Sequence, residues 1–90
     1  MEFEWDEAKR RSNIEKHRID FRDVEQLFDG RPAVTVETDF LAEDRYRTTG
    51  LVDARLTTVI WTQRSDRIRL ISARGARDGE KREYRALYGS

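Results

Sequence analysis

Residues 56–73, LTTVIWTQRSDRIRLISA, decide the fold. On both sides of Ser65-Asp66 polar and apolar residues alternate, with the β-branched and aromatic types that favour strands. The pattern predicts strands over Leu56–Gln63 and Arg67–Ala73. So short a connection demands an antiparallel hairpin, because a parallel crossover needs a dozen or more residues. Val59-Ile60-Trp61 is apolar at consecutive positions, which predicts a central strand covered on both faces.

The period of two extends toward the N-terminus. It predicts two further strands, Ala33–Thr38 and Arg45–Val52, with turns at Ala42-Glu43-Asp44 and Asp53-Ala54-Arg55. The short connections make these four strands an antiparallel meander. Phe3–Trp5 has the pattern of a short additional strand, with Phe3 and Trp5 on one face.

Three helices are predicted around the strands. Asp6 is a good N-cap for a helix that runs to about His17, and Asp20 is a good N-cap for a second one. The second helix has apolar residues at helical spacing and ends before Gly30 and Pro32; its stripe is Phe21, Val24, Leu27 and Phe28. Asp78 is predicted to cap a C-terminal helix that packs through Tyr84, Leu87 and Tyr88. The order of elements predicts an α+β layer arrangement.

Composition narrows the class of protein. Ninety residues predict a single domain over 1–90. The absence of Cys excludes a disulfide framework, a thiolate metal site and a Cys nucleophile. No apolar stretch approaches the 18 residues of a membrane span. The acidic N-terminus lacks the basic and apolar regions of a signal peptide, so a cytoplasmic location is expected.

Charge is distributed unevenly along the chain. Residues 1–44 carry 7 basic and 13 acidic side chains, whereas residues 45–90 carry 11 and 5, so the halves have net charges of −6 and +6. One interpretation is a basic surface for an anionic partner. The other is that the two halves pair with each other across the fold.

Arginines recur at regular offsets in the basic half. Alternation places Arg67 and Arg69 on one face of their strand and Arg74 on the other. Arginine forks suit phosphate, and the amino end of a helix favours an anion. We therefore expect a phosphate-binding cleft lined by Arg64, Arg74 and Arg77. Further nucleic-acid contacts are expected at Lys9, Lys16, Arg45, Arg47 and Arg69. The alternative is that these side chains pair with the acids of the first half or line a solvated face.

Three side chains are candidate proton carriers. His17 is the only histidine, and its pKa suits acid–base work near neutrality, although a His at a helix end also serves as a cap. Glu80 and Tyr84 lie one helical turn apart and are predicted to face one cleft. With one His and no Cys, no metal or other cofactor is expected. Cleavage of RNA would then use its own 2′-hydroxyl, which DNA lacks.

The residues resemble the BrnT family of toxins along nearly the whole chain. The N-terminal part of the resemblance is Phe3-Glu4-Trp5-Asp6, Lys9, Asn13, Lys16-His17, Ile19, Phe21 and Leu27-Phe28-Asp29. The C-terminal part is Arg45 with Gly50, Trp61-Thr62-x-Arg64, Arg69-Leu70-Ile71-Ser72-Ala73-Arg74-x-Ala76, Glu80 and Tyr84. The chain departs from the family at Arg18, where Gly is common, and at Arg77, where a capping Ser or Thr is common.

The resemblance implies a RelE-like fold and an endoribonuclease that inhibits translation. It also implies a BrnA-like antitoxin with a ribbon-helix-helix fold, which would bind operator DNA together with the toxin. The residues alone leave a second function open. The arginine-rich sheet could belong to a non-catalytic module that grips an acidic protein or assists DNA binding in a complex.

Overall fold

A computed structural model of the chain describes residues 2–40 and 43–89. Its elements in chain order are β1 (Glu2–Glu4), α1 (Glu7–His17), α2 (Phe21–Val24), a 3₁₀ turn (Glu25–Phe28), β2 (Ala33–Phe40), β3 (Glu43–Val52), β4 (Arg55–Arg64), β5 (Arg67–Gly75) and α3 (Asp78–Tyr88). Within these residues the strands form one mixed sheet in the order β1-β5-β4-β3-β2. The α+β class predicted from the sequence is confirmed.

Strands β2 to β5 pair antiparallel in chain order, as their short connections require. Asp53 and Ala54 both have positive φ, 50° and 65°, which is the backbone of a tight type I′ hairpin turn between β3 and β4. The turn predicted at 42–44 lies partly outside the described residues, because Ala42 is not among them. Glu43 and Asp44 belong to β3, which begins two residues earlier than predicted.

The N-terminal segment does form a strand. Glu2–Glu4 pairs in parallel with Arg67–Arg69 of β5, so the sheet is mixed rather than wholly antiparallel. Phe3 lies beside Ile68 on the core side of the sheet, where its ring meets the edge of Phe28 at 5.4 Å between centroids. The first residues of the chain are thereby fixed to the last strand.

A bulge in β5 changes which face its arginine occupies. Ile60 pairs with Ser72, but the next residue, Trp61, pairs with Leu70, so Ile71 is an extra residue on β5. The extra residue reverses the alternation of side chains beyond it. Arg74 consequently lies on the same face as Arg67 and Arg69. The prediction that Arg74 leaves the strand on the opposite face is wrong for this reason.

The core occupies the other face of the sheet. Phe21, Val24 and Leu27 pack against central strand residues such as Val59 and Leu70, and all five are buried. Burial of each such side chain contributes about 1.5–3 kcal/mol. Helix α2 and the 3₁₀ turn therefore hold one face of the sheet closed.

Gly50 on β3 permits the close approach of this layer. A Cβ at that position would lie 2.8 Å from Cδ2 of Leu27 and 3.0 Å from the carbonyl oxygen of Pro32. No side chain fits between the strand and these atoms. Close packing against Leu27 and Pro32 therefore explains why glycine occupies position 50, five residues after Arg45.

The second helix is shorter than predicted. Asp20 caps it as expected, accepting from the amide of Arg22 at 3.0 Å. The α-helix nevertheless ends at Val24, and Glu25–Phe28 continue as a 3₁₀ turn. The predicted continuous helix over this stretch is wrong. The tighter turn places Phe28 edge-on to Trp61, at 5.3 Å between ring centroids, a tertiary contact that local periodicity does not encode.

Asn13 joins α1 to the edge of β5. Its amide nitrogen donates to the carbonyl oxygen of Ile19 at 2.9 Å, and its amide oxygen accepts from the N–H of Ala73 at 3.0 Å. The side chain is 5% exposed. Asn13 therefore satisfies a strand-edge donor that β1 is too short to reach, and it has a structural role.

The left-handed end of α1 provides a test of stability. Arg18 has φ 60° and ψ 31°, and its N–H donates to the carbonyl oxygen of Ile14 at 2.8 Å. A residue with a Cβ loses roughly 1–2 kcal/mol in this conformation, whereas Gly adopts it freely. We expect Arg18→Gly to raise the free energy of unfolding by about 0.5–1 kcal/mol, after the larger chain entropy of Gly is subtracted.

Urea unfolding of Arg18→Gly and Arg18→Ala measures this effect. The Ala variant is the matched control, because it removes the same side chain but keeps the Cβ, and it should show no gain. An unfolding midpoint for the Gly variant at or below that of the Ala variant would contradict the assignment of strain to Arg18.

Candidate functional site

The sheet face opposite the core carries arginines from three strands. Cross-strand pairing places them on this face, which we call the arginine face: Arg45 and Arg47 on β3, Arg64 on β4, and Arg67, Arg69 and Arg74 on β5. Helix α3 crosses one end of the face and contacts β2 and β3. The candidate site lies where the helix meets the arginines.

Glu80 of α3 is the centre of this meeting point. Oε1 accepts from Nη1 of Arg74 at 2.7 Å, from the backbone N–H of Arg77 at 2.8 Å and from the hydroxyl of Thr58 at 3.0 Å. Oε2 accepts from Nη2 of Arg74 at 3.0 Å and from Nη1 of Arg47 at 3.1 Å. The residue is only 5% exposed. One buried carboxylate therefore joins α3 to three strands.

The donor and the acceptor can be assigned in the hydrogen bond between the two threonines beneath Glu80. The single hydroxyl proton of Thr58 points to a carboxylate that can only accept, so Thr49, at 2.7 Å, must donate to Thr58. Both side chains are buried. Sequence reasoning missed this pair, although polar residues at alternate positions on an apolar central strand were a signal for it.

The pKa of Glu80 follows from these contacts. Burial raises the pKa, but the hydrogen bonds from Arg74, Arg77 and Thr58 outweigh burial and lower it to about 2. The carboxylate is thus ionised at neutral pH and its acceptor sites are filled. This geometry does not suit the proton-carrier role expected for Glu80, and it instead makes Glu80 the residue that orients Arg47 and Arg74.

The start of α3 differs from the prediction. Arg77, not Asp78, is the N-cap residue, with φ −83° and ψ 166°. Its N–H is satisfied by the carboxylate of Glu80, three residues along, which is the reciprocal half of a capping box. The anion expected at this helix terminus is therefore Glu80 itself. The guanidinium of Arg77 is left exposed, without an ion pair to any residue that the structure describes.

Arg47 and Arg74 keep donors for a ligand. Arg47 uses one nitrogen, Nη1, for both Glu80 and Glu83, the latter at 3.4 Å. Arg74 uses Nη1 and Nη2 for Glu80, and Nη1 also reaches the carbonyl of Gly75 at 3.4 Å. An arginine presents five N–H donors, so both guanidiniums retain free N–H groups. Their side chains remain 24% and 18% exposed.

Arg64 lies far from this centre. As predicted, it pairs with Arg67 beside the β4–β5 hairpin turn. Arg64 lies six positions along β4 from Thr58, which is the cross-strand partner of Arg74. Six positions correspond to about 20 Å along a strand. The expected single cleft of Arg64, Arg74 and Arg77 is wrong in this respect. Arg64 lies on the same face as Arg74 but at its other end.

Part of the arginine face is neutralised by the N-terminal strand. Arg69 donates to Glu4 at 2.9 Å, and Arg67 lies 3.2 Å from Glu2 and 3.8 Å from Glu4. These pairs fit the interpretation that the acidic half of the chain pairs with the basic half. The ion pairs of Arg47 and Arg74, by contrast, are with acids of α3.

Lys9, Lys16 and His17 line a groove between α1 and β5. The groove measures about 190 Å³ and its floor includes Ser72 and Ile71. The lysines make no side-chain hydrogen bond or ion pair with the described part of the chain. Because Ser72 pairs with Ile60 of the arginine face, the groove meets that face at the edge of β5.

Tyr84 does not share a cleft with the Glu80 carboxylate. It is 9% exposed and lines a separate cavity with Leu51 and Leu56, near the β3–β4 turn. The structure does not bring Tyr84 and Glu80 into one cleft: one turn further along the helix, Tyr84 borders the cavities beside Leu51, whereas Arg47, Arg74 and Thr58 enclose the Glu80 carboxylate. Its ring contacts Tyr88 at 5.1 Å between centroids.

Two further observations concern only residues 2–40 and 43–89. No group of three or more His, Asp or Glu side chains there is arranged to hold a metal ion. No helix there is long and apolar enough to cross a membrane.

The fold and the site define a small α+β protein with an arginine-rich sheet face beside its last helix. Residues 5–80 match the family model for BrnT, described as the ribonuclease toxin of a type II toxin–antitoxin system. The chain belongs to the BrnT family and is a ribonuclease toxin of that class. A search of curated proteins finds no significant match.

Acid unfolding tests the role assigned to Glu80. Its pKa is lowered in the folded state, so its contribution is complete above the unfolded pKa near 4.5 and disappears as the pH falls toward about 2. At pH 7 we expect Glu80→Gln to lower the free energy of unfolding by roughly 3 kcal/mol. The difference from the parent should shrink between pH 4.5 and pH 2.

Glu83→Gln is the matched control for urea unfolding across this pH range. Glu83 also contacts Arg47, but its side chain is 42% exposed, and an exposed pair contributes about 0–1 kcal/mol. A Glu80→Gln deficit that stays constant from pH 7 to pH 2 would show that the carboxylate is not held ionised.

Proposed function

We propose that this chain is a metal-independent endoribonuclease that cleaves RNA through attack by the substrate's own 2′-hydroxyl, and that this cleavage inhibits translation. The observation that carries the proposal is the pair of guanidiniums, Arg47 and Arg74, held together by one buried carboxylate at the edge of an arginine-lined face. Membership of a family of ribonuclease toxins makes RNA the polyanion.

The scissile phosphate would bind beside α3. Attack by a 2′-hydroxyl builds negative charge on the phosphorane oxygens, and oriented donors that meet this charge each contribute on the order of 10²–10³ in rate. Arg74 and Arg47 have spare N–H groups, and Arg77 adds an exposed guanidinium at the start of the helix. Glu80 acts as a positioning residue, because it fixes the two strand arginines and does not itself carry the proton.

The proton of the 2′-hydroxyl needs a separate acceptor. His17 has the appropriate chemistry near neutral pH, and its groove opens at Ser72, two residues before Arg74 in β5. We propose His17 as the proton carrier. Tyr84 is assigned to packing instead, since it is only 9% exposed and its ring contacts Tyr88.

RNA on either side of the scissile phosphate would follow the cationic surface. Arg64 lies about 20 Å from Arg74 along the sheet, a distance that spans several nucleotides. Lys9 and Lys16 extend the surface around the edge of β5. The flanking phosphates would contact Arg45, Arg64, Arg69, Lys9 and Lys16, while Arg47 contacts the scissile phosphate.

The partners follow from the family. The class includes an antitoxin, and we propose that it is a BrnA-like ribbon-helix-helix protein that neutralises the toxin in the cytoplasm. Operator DNA would be bound only through that complex. We further propose that residues 1–90 form one toxin domain with a RelE-like arrangement of helices and sheet.

Cleavage of a long, ribosome-free RNA in excess EDTA tests the proposal. The parent chain should cleave the RNA and leave an all-deoxy strand of the same sequence intact, because DNA lacks the nucleophile. Arg77→Ala should slow cleavage by about 10²-fold through loss of charge neutralisation. Arg64→Ala should act mainly on RNA affinity, and the loss of one phosphate contact should make binding less dependent on salt than in the parent.

Arg22→Ala is the matched control, because Arg22 is an exposed arginine on α2, away from the arginine face. Thermal unfolding should be similar for all three variants. If Arg77→Ala and Arg64→Ala both cleave RNA at the parental rate, the proposed RNA-binding surface is wrong. If the parent cleaves neither free RNA nor RNA in a translation reaction, the chain is a binding module and the proposed enzyme activity fails.

A further inference from the structure

A second concave surface lies on the flank of α3 away from Glu80. It is a cavity of about 450 Å³ at the end of the sheet where β3 turns into β4. Leu51, Leu56 and Tyr84 provide apolar lining, and Arg55, Lys81 and Arg85 contribute cations. The surface therefore combines an apolar floor with a basic rim.

The apolar floor continues into a neighbouring cavity. This second cavity, of about 420 Å³, shares Leu51 and Tyr84 with the first and is also lined by Pro32. Leu51 is 40% exposed, which is high for a leucine on a central strand. The two cavities thus form one groove with Leu51 exposed between them, which we call the Leu51 groove.

The cations of the rim are not used within the chain. Arg55, Lys81 and Arg85 make no side-chain hydrogen bond or ion pair with the residues at 2–40 and 43–89. On the arginine face, by contrast, carboxylates orient Arg47 and Arg74. Unpaired cations around an apolar floor are complementary to a peptide segment with both acidic and apolar side chains.

The Leu51 groove is separate from the phosphate-binding centre. Glu83 reaches Arg47 on one flank of α3, while Lys81 and Arg85 line the groove on the other. A ligand in the groove would leave the two oriented guanidiniums accessible. A partner bound only in the Leu51 groove would therefore not cover Arg47 and Arg74, the proposed phosphate ligands.

We propose that the Leu51 groove is the anchoring site for an acidic, amphipathic segment of the antitoxin. The proposal rests on the assigned role of the chain as the toxin of a toxin–antitoxin pair. Two apolar side chains of the segment would fill the cavities on either side of Leu51. Its acidic side chains would face Arg55, Lys81 and Arg85.

Calorimetric titration of purified variants with the cognate antitoxin tests the proposal. We expect Leu51→Asp to weaken binding at least tenfold, because it places a negative charge between the apolar cavities and opposite an acidic segment. Leu87→Asp is the matched control: Leu87 is 66% exposed on α3 and lies outside the groove lining. It should bind as the parent does. Parental affinity of Leu51→Asp would overturn the proposal.

A charge-reversal variant guards against a folding defect at Leu51. Lys81→Glu combined with Arg85→Glu alters only surface cations, and we expect weaker binding with a smaller dependence on salt. Unchanged affinity of this variant would also contradict the proposed acidic segment. Sedimentation of the chain alone tests whether a second copy of the chain occupies the groove instead. If the parent is a dimer that Leu51→Asp dissociates, with antitoxin affinity unchanged, a second copy occupies the groove and the proposal is wrong.

RNA cleavage by the free variants separates this inference from the proposed function. Leu51→Asp should cleave RNA as the parent does, because Leu51, although on the same face of the sheet as Arg47, lines the cavity beside Lys81 and Arg85 rather than the guanidiniums that Glu80 orients. A parent that cleaves no RNA, yet binds antitoxin in a Leu51-dependent manner, would refute the enzyme activity and retain the docking site. A cleaving parent with Leu51-independent binding would do the reverse.

Discussion

The buried carboxylate of Glu80 is the contact on which the arrangement of this molecule depends. It receives five hydrogen bonds, from β3, β4, β5 and the first turn of α3. A carboxylate with so little exposure is stable only with this degree of compensation. Conversely, the guanidiniums of Arg47 and Arg74, which both bind the Glu80 carboxylate, would repel each other without that shared anion. The same contact therefore docks the helix and sets the spacing of the two guanidiniums.

That contact depends in turn on one extra residue in β5. The bulge at Ile71 brings Arg74 onto the face that α3 covers. Without it, alternation would direct Arg74 toward the core face, and Glu80 would lose its bidentate partner. An isoleucine at position 71 is equally compatible with a regular strand and with a strand that contains a bulge there. Sequence periodicity therefore predicts the strand correctly and cannot reveal the shift in register that decides the face of Arg74.

The same distinction between local and distant causes explains which predictions held. Hairpins, the caps at Asp6 and Asp20 and the short N-terminal strand follow from neighbouring residues, and the structure contains them. The early end of α2 depends on contacts with distant strands. Tyr84 borders the cavities beside Leu51, one helical turn beyond Glu80. For the site, the sequence proposed the arginines and Glu80 as candidates but assigned Glu80 a proton-carrying role, because two of the residues that hold its carboxylate, Arg47 and Thr58, are distant in the chain.

The charge asymmetry between the two halves of the chain has more than one structural outcome. Glu2 and Glu4 neutralise Arg67 and Arg69 through the parallel pairing of β1 with β5. Glu80 and Glu83, from the basic half, contact arginines beside α3, whereas Arg55, Lys81 and Arg85 have no ion pair to any residue within 2–40 and 43–89. Guanidiniums that are already oriented lose little freedom on binding a planar anion. A groove with an apolar floor obtains most of its binding free energy from the apolar area that a ligand covers. Helix α3 therefore lies between a surface of oriented guanidiniums, for which we propose a phosphate ligand, and a basic-rimmed apolar groove, for which we propose a peptide.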